Sequence, residues 1–123
     1  MSNPEELSII YGFRKYRFPE FGFDILGSNC KNGIQFSVVF EDPRDSLNNR
    51  YSYEAQLTKD SFKEQGYSLQ DALKLLDKTY NEEIDCSIDY TEHINPARFI
   101  LKIYERECFE TLVFIEFQAK TYT

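Results

Sequence analysis

The sequence predicts an α+β fold: a mainly antiparallel sheet of about five to six strands, one main helix over about residues 69–82, and a short N-terminal helix packed on it. Three observations carry this. Aromatic and β-branched segments alternate apolar with polar side chains at the two-residue period of strands. Leu69, Ala72, Leu73, Leu76 and Tyr80 recur at helical spacing. No internal repeat, low-complexity tract or linker breaks the order, so residues 1–123 read as one domain.

At the N-terminus, Asn3, Pro4 and Glu6 form a helix-start pattern, because Asn caps, Pro suits the first turn and Glu answers back to the cap. Leu7, Ile10 and Tyr11 would share one face of that short helix, and Gly12 would end it; a strand over the same residues is the alternative. Next comes Tyr11, Phe13, Arg14, Lys15, Tyr16, Arg17 and Phe18, where bases and aromatics interleave. This segment reads as an edge strand whose rings pack inward while Arg14, Lys15 and Arg17 blunt the edge or pair with acidic residues. Its other reading is a single-stranded nucleic-acid platform, which a net charge of −7 disfavours.

Residues 21–26 and 34–40 predict two antiparallel strands, with Asn32-Gly33 between them as a hairpin signal. Ile34, Phe36, Val38 and Phe40 fall on one face. A third strand follows, where Tyr51, Tyr53, Ala55 and Leu57 alternate with Ser52, Glu54 and Gln56. Ser68 with Asp71 resembles a capping box opening the main helix. Beyond it, Ile84, Cys86, Ile88 and Tyr90 alternate with Asp85, Ser87, Asp89 and Thr91 as a fourth strand. Residues 99–104 and 111–119 close as a hairpin across the charged turn Glu105-Arg106-Glu107.

The core is an aromatic one, with eleven Phe and nine Tyr beside no Trp and one Met. Three cysteines, Cys30, Cys86 and Cys108, are odd in number and widely spaced, which argues against a disulfide framework and for reduced thiols in a cytoplasmic setting. The first residues carry acids where a secretory signal needs bases, and no apolar run is long enough to cross a bilayer, so no membrane association is expected.

Catalytic signatures are sparse. The cysteines and the single histidine, His93, lack the close pairs of a structural zinc site, so neither a metal nor a cofactor is expected. No Gly-x-Ser-x-Gly elbow occurs, and the stretch Gly22 to Ser28 imitates a phosphate loop without its lysine. Asp45, Glu54 and Gln56 sketch a metal-dependent nuclease with Gln in the lysine's place. Asp85 and Asp89 would lie roughly 13 Å apart on a strand, too far for a glycosidase pair, although on a helix they would be neighbours.

Charge is the remaining signal. Residues 1–62 carry 7 bases and 9 acids, residues 63–123 carry 7 bases and 12 acids. Between Lys78 and Arg98 no base occurs, while Glu82, Glu83, Asp85, Asp89 and Glu92 supply five acids; Glu41, Asp42 and Asp45 form a smaller group after the second strand of the first hairpin. Such a face either keeps the surface soluble or docks a basic partner. The expectation is a non-enzymatic binding protein that neutralises a basic protein partner such as a toxin domain, in the manner of an immunity protein for a nuclease-type toxin or a phage-type inhibitor. The alternatives are an acidic chaperone or adaptor for a secreted effector, which would form a homodimer with an apolar groove, and a small enzyme with a Cys or carboxylate site.

Overall fold

A computed structural model describes residues 12–41, 50–90 and 98–120. Seven strands, β1 (Arg14–Phe18), β2 (Phe23–Cys30), β3 (Gly33–Glu41), β4 (Arg50–Thr58), β5 (Cys86–Tyr90), β6 (Arg98–Glu105) and β7 (Thr111–Ala119), form one sheet in the order β1-β2-β3-β4-β7-β6-β5. Every pairing is antiparallel, and the sheet curls into a half-barrel. The one α-helix among the described residues, α1 (Leu69–Tyr80), carries the chain from β4 to the far edge at β5. The α+β class holds, with seven strands rather than five to six. The basic aromatic segment Arg14–Phe18, read from the sequence as an edge strand, pairs with β2 along its whole length as the sheet's edge and brings the count to seven.

The two-residue period decides which rings go inside. Tyr16 and Phe18, Phe23 and Ile25, Ile34, Phe36 and Val38, and Tyr53, Ala55 and Leu57 are buried, and Phe99, Leu101, Ile103, Val113, Ile115 and Phe117 complete the concave wall. The rings touch edge to face or offset, for example Phe23 against Phe99 at 5.2 Å and Phe99 against Phe117 at 5.7 Å. Phe13 departs from the inward pattern, its ring lying 86% exposed just ahead of β1. Tyr11 and the predicted N-terminal helix lie outside the described residues.

Ser68 starts α1 by accepting a hydrogen bond from the Asp71 N–H at 3.0 Å, as the capping pattern predicts. Leu69, Ala72, Leu73, Leu76 and Thr79 form its buried face. The helix stops at Tyr80 rather than at residue 82. There the Glu82 N–H bonds the Thr79 carbonyl at 3.2 Å and the Glu83 N–H bonds the Lys78 carbonyl at 2.8 Å, while Glu82 takes a left-handed φ of 58°. This is a Schellman ending, built on a glutamate where glycine is usual.

Two devices, one in the turn before the helix and one on the helix itself, fit this segment to the half-barrel. At the β4–β7 seam the strands pair at Tyr53 with Ala119 and Glu54 with Gln118, and the Lys120 N–H extends the join by bonding the Ser52 carbonyl at 2.8 Å. Lower down the Gln65 amide stands in for a strand, donating to the Phe114 carbonyl at 3.2 Å and accepting from its N–H at 2.9 Å. At the opposite edge, the Tyr16 hydroxyl and the Arg14 guanidinium both donate to the Asp77 carboxylate of α1. Tyr80 adds to this join: its hydroxyl accepts from the Arg17 N–H at 2.9 Å and lies 3.3 Å from the Arg17 carbonyl, covering the open edge of β1 there.

Candidate functional site

The Schellman ending turns Glu82 and Glu83 away from α1, and both are exposed in the connection to β5. Asp85, at the entrance of β5, is exposed with its carboxylate 3.8 Å from Arg106 Nη1. Asp89 sits on the outer side of β5, its Cα opposite that of Lys102 on β6, and accepts from the Tyr90 N–H at 2.9 Å. Glu92 lies outside the described residues, as do Asp42 and Asp45; Glu41 is the last residue of β3. Glu82, Glu83 and Asp85 therefore come together, with Asp89 one strand length away.

The strand geometry of 86–90 leaves Asp85 and Asp89 spread along an extended segment rather than adjacent on a helix turn. The acids are also less isolated than their sequence neighbourhood implies, because β6 brings Arg106 to Asp85 and Lys102 opposite Asp89. That same pairing brings in three acids that sequence reading did not join to the group. Cys86 lies opposite Glu105, and the Arg106 N–H bonds the Asp85 carbonyl at 3.3 Å. The α1–β5 connection and the β6–β7 turn thus meet at one end of the sheet. Residues 81–85 and 105–110 together carry six acids, Glu82, Glu83, Asp85, Glu105, Glu107 and Glu110, and one base, Arg106.

The other signals disperse. Arg14 points to Asp77 of the helix, and Lys15 and Arg17 are exposed on the opposite edge strand. Residues 23–28 of the stretch that imitated a phosphate loop lie within β2. Glu54 accepts from Gln35 Nε2 at 3.3 Å, and Gln56 Nε2 is 3.9 Å from Cys30 Sγ. Cys30 is partly buried, Cys86 buried and Cys108 exposed. Around Cys108, the donor atoms of Glu105, Cys108 and Glu110 lie within 4.8 Å of one another, with the thiol donating to Glu105 Oε2 at 3.4 Å. An open cleft of about 390 Å³ runs between β1, the end of α1 and β5, lined by Arg17, Phe18, Tyr80, Cys86 and Arg106 among others. Burial pushes the Cys86 thiol up, and the nearby Glu105 and Asp85 carboxylates add to the rise, so the buried thiol is held protonated. Treatment of the folded protein with a thiol reagent is accordingly expected to modify Cys108 first and Cys86 last. Peptide mapping over a time course checks this, and early labelling of Cys86 would contradict it.

Among the described residues no helix is long and apolar enough to cross a membrane. The chain matches no protein-family model, no curated protein and no solved structure.

Proposed function

We propose that the chain is a non-enzymatic binding protein that neutralises a basic protein partner, in the manner of an immunity protein for a nuclease-type toxin or a phage-type inhibitor. The observation that supports this reading is the meeting of two acidic connections at one end of the sheet, residues 81–85 and 105–110, which carry six acids and one base, Arg106, between them. A nuclease-type toxin presents Lys and Arg to hold phosphates. Carboxylates on a rigid frame fit those same positions and accelerate encounter at low salt.

The test is capture from the native host with the wild-type chain and with Glu82→Lys, Glu83→Lys and Asp85→Lys combined. We expect the wild type to retain a basic protein in a salt-sensitive manner and the triple variant to bind it at least about tenfold more weakly. Equal capture with an unchanged salt dependence would sink the acidic docking face. The chaperone or adaptor reading has one observation in its favour: Leu26 and Val39 are exposed on the outer side of β2 and β3, beside an open hollow of about 420 Å³. It requires a homodimer, so a monomeric mass in solution removes it.

A further inference from the structure

The acidic end also carries an exposed ring. Phe109, in the turn between β6 and β7, is 75% exposed, and its backbone holds a left-handed φ of 59°, which an aromatic residue adopts at a cost. The ring is not loose. The Phe109 N–H bonds the Glu105 carbonyl at 2.8 Å and the Glu105 N–H bonds the Glu110 carbonyl at 2.9 Å, which closes the turn beneath it. One face of the ring stacks on half-buried Tyr104, with centroids 6.2 Å apart and planes 20° apart. On the outer side of β7, Phe114 is 42% exposed.

Single exposed apolar residues are ordinary on protein surfaces. Phe109 differs in being held by its turn, stacked and set in an acidic excess: Glu105, Glu107 and Glu110 share its turn with the one base Arg106, and Glu82, Glu83 and Asp85 lie across the Asp85–Arg106 contact. A large apolar anchor ringed by polar groups is the usual anatomy of an interface hot spot. The charge selects the occupant. A second copy docking through the same end would set its carboxylates against these, and an anionic polymer or lipid surface would be repelled likewise. A surface of opposite sign gains from every one of them.

We propose that Phe109 is the apolar anchor of this end, and that its occupant is a protein surface offering an apolar socket rimmed by Lys and Arg. The proposal rests on the acidic docking reading above and adds to it where the affinity resides. Charges around the ring steer and orient; burial of the ring slows dissociation.

Two synthetic peptides of equal positive charge test it by calorimetry or fluorescence titration, an amphipathic one made of Leu and Lys and an oligolysine. The wild-type chain is expected to bind the amphipathic peptide at least about tenfold more tightly than oligolysine. Phe109→Gly, which suits the left-handed backbone and should leave the thermal midpoint unchanged or raised, is expected to erase that preference, whereas Phe109→Tyr keeps it. The triple charge reversal at Glu82, Glu83 and Asp85 is expected to weaken both peptides. A wild-type chain without the preference, or a Phe109→Gly chain that retains it, overturns the anchor; loss of both peptides in the charge reversal would then still support the acidic face. Unchanged binding by the charge reversal, with the preference lost in Phe109→Gly, would leave the anchor standing and remove the acidic face.

Discussion

Replacing Gly33 by alanine is expected to cost the fold about 3 kcal/mol or more, read as a lowered urea midpoint at similar slope. A Cβ on Gly33 would lie 1.8 Å from the Leu57 carbonyl oxygen and 2.9 Å from the carbon that bears it. These are backbone atoms of β4, paired with β3 at Gly33–Thr58 and Ile34–Leu57, so no side-chain rotation relieves the overlap. The strands must separate, and the ladder continues through every residue of β3. Asn32→Gly should instead be close to neutral, because Asn32 is the turn residue at φ 64°, a conformation glycine accepts freely. A hairpin in which Gly33 itself supplied the turn's left-handed residue would reverse the two results. Gly33→Ala within about 0.5 kcal/mol of wild type would show that the close approach to β4 is not needed.

Asn32-Gly33 illustrates what was legible in the sequence. The pair marks the hairpin correctly, since local turn chemistry is written in neighbouring residues. It does not say that the glycine leaves the turn and admits β4, because that contact is made by a residue far along the chain. The same division runs through the fold. Apolar alternation located β3, β4, β6 and β7 within a residue or two, and the period of Leu69, Ala72, Leu73 and Leu76 located α1. β2 runs on to Cys30, beyond the predicted 21–26, because Gly27 lies under the Phe36 ring, whose nearest atom would be 2.4 Å from an added Cβ. A strand residue without a side chain leaves no apolar mark to read. α1 ends two residues early because Glu82, not a glycine, adopts the left-handed position.

The candidate site was legible only in part for a similar reason. Glu82, Glu83 and Asp85 stand out as a run without bases, a property of adjacent residues. Their joining with Glu105, Glu107 and Glu110 depends on β5 pairing with β6, and the approach of Arg106 to Asp85 depends on its register. Sequence spacing carries neither. Phe109 gives no periodic signal either, since it lies in a turn where exposure is decided by one backbone torsion.

Loss of the Asp77 carboxylate should be the other large effect, because it joins the helix to the edge strand. Its oxygens accept from the Tyr16 hydroxyl and, at 3.2 Å, from Arg14 Nε. Tyr16 is 3% exposed, so Asp77→Ala takes a hydrogen-bond acceptor from a phenol that water cannot easily reach. With the Arg14 contact also lost, about 2 to 4 kcal/mol is expected from urea denaturation. Tyr16→Phe combined with Asp77→Ala should cost less than the sum of the single changes, since it removes donor and acceptor together. Alkaline pH probes the same join. Burial, the hydrogen bond to Asp77 and its negative charge all push the Tyr16 phenol well above its ordinary value of 10.0. A phenol raised in the folded state keeps its proton there after the unfolded chain has lost it. Its stabilising contribution is therefore whole below pH 10.0 and falls as pH rises beyond that value. In Asp77→Ala the fall should begin at the same pH with the same slope and end sooner, leaving mainly the burial contribution. An Asp77→Ala midpoint within error of wild type would mean that the carboxylate does not hold α1 to β1.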